Sequence, residues 1–256
     1  MKPVEIEDAD PALQKFAQAL GGDLCFGDGS ELDDDSVNAL FELGKFMEKA
    51  WGYRYIYKSL QDKHKWASSA DIGMTADYKI NDLLSLDLQI TNGEGYKKEQ
   101  DESGLFRGGL GLNFTASDKL AVRLYRDISP RKIYTDEYSH QATTTGAIAY
   151  NSDQINIGFE YNIQEHSGNV TDRIKKGTSV YATYKIQPTI SIFGRYDELT
   201  SENDWNLDND GSLIIAGVEK EMTKGVKVAL NYQTWTDAVE GSDSEDKLYL
   251  SLEYKF

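Results

Sequence analysis

The chain has 256 residues, 39% hydrophobic and 27% charged, with a mean hydropathy of −0.56; no stretch approaches the ~20 apolar residues of a membrane-spanning helix, so a helical membrane protein is excluded. A barrel, which hides its apolar half at alternate positions, is not excluded. A net charge of −16 repels phosphate backbones and sets nucleic acid aside as a partner, and the single cysteine, Cys25, rules out intramolecular disulfides, thiolate metal clusters and CxxC redox pairs.

The start, MKPVEIEDADPALQ, has neither a basic n-region nor an apolar h-region, so an exported protein is expected to need a leader outside this numbering. Asp10-Pro11, the run Ala12 to Leu20 and Gly21-Gly22 carry the punctuation of a short helix, with Leu13, Phe16, Ala17 and Leu20 on its apolar face. A second helix is predicted from about Asp35 to Lys49, where Val37, Leu40, Leu43 and Met47 recur at helical spacing. Between them, Asp28, Glu31, Asp33, Asp34 and Asp35 miss the spacing and the closing Glu of an EF-hand, and read as a solvated loop. Residues 1–50 are thus expected to be a helical segment on the periplasmic side or in the lumen, preceding a barrel over residues 51–256.

From Trp51 the apolar period switches to two. Ile155, Ile157, Phe159, Tyr161 and Ile163 share one face against Asn156, Gly158, Glu160, Asn162 and Gln164 on the other. Ile72 to Ile80, Leu84 to Ile90 and Leu248 to Phe256 alternate likewise. About twelve such segments begin near residues 51, 69, 83, 105, 119, 141, 154, 177, 189, 211, 225 and 245, an even number. The least regular runs from Leu213 to Lys220, where both faces are partly apolar. Tight turns at Ile80 to Leu83, Ala116 to Lys119, Ser152-Asp153, Gln187-Pro188 and Thr223-Lys224 alternate with long polar links, as in barrels with periplasmic turns and external loops. Pairing of Trp51–Tyr57 with Lys247–Phe256 is expected to close the ring.

A soluble sandwich also alternates, but three features favour lipid. Gly73, Gly109, Gly111 and Gly158 lie among charges on the polar face, suggesting a crowded lumen. Aromatic residues such as Tyr78, Phe114, Tyr150, Tyr184, Tyr232 and Tyr254 fall near segment ends, where interfacial girdles form. The last strand, with Leu252, Tyr254 and Phe256, resembles the assembly signal that outer-membrane barrels present to their insertion machinery.

Trp51-Gly52-Tyr53-Arg54-Tyr55-Ile56, Ser68-Ser69-Ala70-Asp71-Ile72-Gly73 and Ile90-Thr91-Asn92-Gly93-Glu94-Gly95-Tyr96 resemble stretches of the outer-membrane porins of phosphate-selective type in Gram-negative bacteria. The resemblance spans about Trp51 to Phe256 and implies passive transport of small hydrophilic solutes. That family usually carries further N-terminal strands before the WGYR stretch; here two predicted helices stand instead.

With polar faces inward, Arg54, Arg107, Arg123, Lys185, Arg195 and Lys227 are expected to line the pore with Asp71, Asp77, Asp87 and Glu160, and Asp127 and Glu253 share that face. A selective constriction needs its charges gathered at one level, whereas any one of them can equally pair across strands to stiffen the wall. His64, His140 and His166 fall in predicted long loops outside any HExxH or nucleophile-elbow arrangement, and Gly93-Glu94-Gly95 lacks a following helix. The sequence therefore predicts an all-β, transmembrane antiparallel up-and-down barrel with a short helical N-terminal segment. It is expected to be a non-enzymatic outer-membrane channel with no cofactor or metal site, its partners the lipid bilayer, small hydrophilic solutes and the barrel assembly machinery. A non-conducting anchor or scaffold, or a soluble β-sheet binding protein, is the alternative.

Overall fold

The computed structural model describes residues 24–26, 42–66, 73–93, 105–129 and 140–255. The chain order is β1 (Leu24–Phe26), α1 (Glu42–Trp51), α2 (Leu60–Lys63), β2 (Gly73–Lys79), β3 (Leu84–Thr91), β4 (Arg107–Ser117), β5 (Leu120–Ser129) and β6 (Gln141–Asn151). It continues with β7 (Ile155–Glu165), β8 (Lys175–Gln187), β9 (Ile190–Ser201), β10 (Gly211–Thr223), β11 (Val226–Asp237) and β12 (Glu245–Tyr254). All strands join one antiparallel sheet in sequence order, β1 to β12, as short connections demand.

The hairpins form where turn chemistry places them. Asn81 Oδ1 accepts from the backbone N–H of Leu83 and Leu84, a side-chain turn that reverses the chain between β2 and β3. Gly225, at φ +80°, turns β10 into β11 in a conformation that favours glycine. The segments predicted from residue 69 onward are the strands β2 to β12, each starting within four residues of its expected position.

Strand side chains alternate between faces, and the apolar set points outward. Leu88, Leu110, Leu124, Ile128, Ile148, Ile157, Val180, Ile214 and Leu230 are exposed. Asp87, Arg123, Asp127, Glu160, Asn162, Gln164, Arg195, Asp197 and Asn231, on the opposite face, are buried. This inverts the arrangement of a soluble sandwich and is the one a lipid-embedded barrel requires. Leu88→Arg or Ile157→Arg is expected to destabilise the barrel by about 2–4 kcal/mol near the bilayer midplane. Lys185→Gln, on an exposed residue at the short-turn rim, should leave stability unchanged. Urea titration in lipid vesicles reads both, and equal tolerance of the two classes would reverse the assigned faces.

Residues 51–57 differ from their predicted strand. Trp51 ends α1, Gly52 at φ +74° stops it, and residues 54–56 form turns. The Gly52 N–H bonds the Glu48 carbonyl at 2.8 Å, closing the last helical turn. Among the described residues β12 therefore bonds β11 alone, not Trp51–Tyr57. Leu250, at 76% exposed, and its outward neighbours on β12 are correspondingly bare. The helix predicted over residues 12–20, the acidic loop over 28–35, the NGEGY stretch beyond Gly93, and Phe256 lie outside the described residues; β1, pairing Cys25 with Thr75, had no counterpart in the sequence reading.

Candidate functional site

The segment from α1 to Trp66 runs along the polar, inward face of the sheet. At the short-turn end Asn156 Nδ2 donates to the Ala50 carbonyl. Midway, Gln61 Nε2 donates to Thr145 Oγ1 (2.8 Å) and Asn162 Oδ1 (2.6 Å). At the long-loop end Gln164 Nε2 donates to the Trp66 carbonyl (3.1 Å). On the other side Tyr55 Oη donates to Glu219 Oε2 (2.6 Å), and the His64 ring lies 5.7 Å from that of Trp235. Contacts from β6 round to β11 converge on one segment, so the sheet must curl about it.

This inner segment is anchored by apolar burial. Trp51 and Tyr53 are buried against Tyr181, Phe193, Leu213 and Ile215, with the Trp51 ring edge-on to Tyr181 at 5.5 Å and to Phe193 at 6.1 Å. Leu60 and Trp66 form a second cluster with Leu199. The irregular apolar character of residues 213–220 thus has a cause: Leu213 and Ile215 face inward and receive the segment. Gly158 makes room, because a Cβ there would meet the Tyr181 ring at 2.0 Å.

The expected pore-lining residues divide by place. Arg123 grips Asp87 with two bonds, Nη1 to Oδ2 (2.7 Å) and Nη2 to Oδ1 (2.9 Å), reaching across β4 over Gly111, where a Cβ would sit 2.2 Å from the carboxylate. Arg107 pairs with Asp127 (2.5 Å) and Arg195 with Asp197 on its own strand (2.7 Å). Arg195 also donates to the Lys58 carbonyl, stitching the wall to the inner segment. Lys227 lies 3.4 Å from Glu219. Glu160 is buried and accepts from Asn162. Asp77 sits opposite Asp87 in the β2–β3 register, Lys185 is exposed at the rim, and Asp71 lies outside the described residues. Arg54 is not on a strand: it lies in the turn after α1, bound to Glu48 and Asp62. The three buried or half-buried wall arginines each have a carboxylate, so they form no unpaired basic ring at one depth.

Asn156, the inward neighbour of Ile157, is not a free lumen position, since it holds α1. The residues that organise this lumen and that sequence periodicity missed are Trp51, Tyr53, Leu60, Gln61 and Trp66. The signal that marks them is a helix stop, Gly52 directly after Trp51.

His64, capping α2 near the long-loop end, has its pKa pushed down to about 4 by burial, with Lys63, Lys175 and Arg195 adding to the effect and Asp197 opposing it. A folded pKa below the ordinary 6.5 means that docking of this segment is fully favourable above that pH and weakens as pH falls toward 4. Fluorescence of the adjacent Trp235 and Trp66 is expected to change over that range. His64→Leu should flatten the response, and an unchanged profile in that variant would assign the response to another group.

No protein-family model and no curated protein matches the sequence. Solved structures do. OmpF of Salmonella typhi aligns with TM-score 0.65 at 13% identity, over 93% of this chain and 75% of that one. The chain has the fold of an outer-membrane porin barrel. OmpT of Vibrio cholerae, an outer-membrane protein, aligns with TM-score 0.55 at 16% identity, over 79% of this chain and 70% of that one. A porin refined at 1.8 Å aligns with TM-score 0.50 at 11% identity, over 72% of this chain and 61% of that one. The porin-like chain therefore spans less than two thirds of that last structure.

Proposed function

We propose that this porin-like barrel is a non-enzymatic outer-membrane channel for passive diffusion of small hydrophilic solutes, narrowed by residues 42–66. The observation that carries the reading is the separation of faces: an apolar band outside, and charges paired with charges inside. Inward residues on the wall away from the inner segment, Ser85, Gln89 and Asn113, keep partial exposure, as a water-filled path would give them. Because the wall arginines are neutralised by partners, the geometry favours general diffusion over selection by charge. The likeness of three sequence stretches to phosphate-selective porins supports passive transport. Insertion is proposed to use the terminal strand, with Leu252, Tyr254 and Phe256 read by the barrel assembly machinery.

Planar-bilayer recording of the purified chain tests the reading. Discrete conductance steps that scale with salt are expected. Correct insertion without conductance would overturn it in favour of a second reading, a plugged barrel serving as a scaffold, which the buried anchoring of Trp51, Leu60 and Trp66 supports.

A further inference from the structure

At the long-loop end a cleft of about 370 Å³ lies between the α2 end of the inner segment and the rim of β8, β9 and the β9–β10 loop. Its size is in the range of small-molecule sites. Four lysines line it: Lys63 and Lys65 from the inner segment, Lys175 and Lys176 from β8. In a chain of net charge −16, such a gathering is unusual, and its members are unequally neutralised. Lys176 is bound to Glu202 at 2.8 Å. Among the described residues no carboxylate comes within 4.0 Å of Lys63, Lys65 or Lys175. The acid in the wall, Asp210, attracts Lys175 only at longer range, its carboxylate being turned to Ser201, whose N–H donates to it at 2.8 Å and whose hydroxyl also donates to it.

Like charges gathered with too few counter-charges in contact repel, and the repulsion is relieved when an anion enters between them. The cations are also partly fixed. Lys175 Nζ lies 4.9 Å over the buried Trp66 ring, which orients it without neutralising it. Lys65 sits at φ +55°, two residues after α2 and next to its cap, His64. Beyond charge, the wall supplies the side-chain amides of Asn206 and Asn209, aligned by a bond from Asn209 Nδ2 to Asn206 Oδ1 at 3.1 Å, with the half-buried Trp205 ring beside them. Trp205 Nε1 is anchored on the Ile174 carbonyl at 2.9 Å, so the ring is held in place. Charge, hydroxyl-matching groups and a fixed aromatic ring together describe a ligand with an acid group and several hydroxyls.

We propose that the cleft between α2 and the β8–β9 rim binds a carboxylated sugar, its acid group meeting Lys63, Lys65 and Lys175 and its hydroxyls meeting the amides of Asn206 and Asn209. The site stands at the mouth and holds whether or not solute crosses the lumen. Titration calorimetry on the full chain in detergent, with sodium glucuronate, glucose and inorganic phosphate as probes, tests it. Glucuronate is expected to bind saturably and more tightly than glucose or phosphate, and to weaken as salt rises. Lys175→Gln should lower its affinity by about tenfold, the loss of one charge-assisted hydrogen bond, while Lys175→Arg retains most of it. Because Lys175 packs on Trp66, the exposed Lys65→Gln supplies a second variant that leaves the packing untouched, and it too should weaken glucuronate. Glucose binding as tightly as glucuronate would overturn the role of the lysines. Phosphate binding as tightly would overturn the sugar, and indifference of glucuronate affinity to both Gln variants would overturn the site.

Discussion

Replacing Arg123 with methionine is expected to destabilise the barrel by about 3–5 kcal/mol, the cost of leaving a buried carboxylate without its partner. Asp87 is fully buried, and both of its oxygens accept from the Arg123 guanidinium. Arg123 Nη1 also donates to Asn113 Oδ1 at 2.5 Å, so three strands, β3, β4 and β5, are tied through one side chain. Methionine keeps much of the volume and none of the charge, which confines the change to the electrostatic contact. Adding Asp87→Asn to Arg123→Met removes the stranded charge, and most of the loss should then be recovered. The midpoint of urea unfolding in vesicles reads both variants. A double variant as unstable as the sum of its single changes would show that the pair is not what Arg123 contributes.

The same pair shows where reading the sequence succeeds and stops. That Asp87 and Arg123 face inward follows from alternation, because Leu86 and Leu88 must face lipid and so must Val122 and Leu124. That they meet each other does not follow, since they lie two strands apart and touch only because Gly111 leaves the intervening strand bare. Residues 51–57 went wrong for a related reason. Trp51, Tyr53, Tyr55 and Tyr57 alternate with Gly52, Arg54, Ile56 and Lys58, a pattern with the period and the aromatic content of a strand. The alternation instead serves the lumen, where Trp51 and Tyr53 fill an apolar recess and Tyr55 reaches Glu219. Two local signs pointed the other way: Gly52 at a helix stop, and an acceptor surface on the wall in the doubly apolar run around Leu213 and Ile215. Each is weak alone; they become legible together only once the sheet is known to curl around the segment.

Trp51→Ala is expected to cost about 3–5 kcal/mol, the range for removing a large buried aromatic, and to take that cost from the docking of residues 42–66 more than from the barrel. Trp51 is 1% exposed, its indole N–H donates to the Tyr57 carbonyl at 3.0 Å, and the Arg195 guanidinium lies 5.2 Å over its ring. The strand ladders from β2 to β12 do not pass through it, so the wall should survive its loss while the inner segment loosens. Single-channel conductance is then expected to rise above that of the parent, and protease should cut the segment between Gly52 and Lys65. Trp51→Phe keeps the ring packing and forfeits only the indole hydrogen bond, a loss of about 1 kcal/mol that should leave conductance near the parent value. The comparison also separates a narrowing from a stopper. If the parent conducts and Trp51→Ala conducts more, residues 42–66 set the bore of an open path. If only Trp51→Ala conducts, the same residues close it, and opening must come from whatever weakens their hold on Tyr181, Phe193 and Ile215. Unchanged conductance and unchanged protease resistance in Trp51→Ala would show that the hold lies elsewhere, in the Leu60, Trp66 and Leu199 cluster.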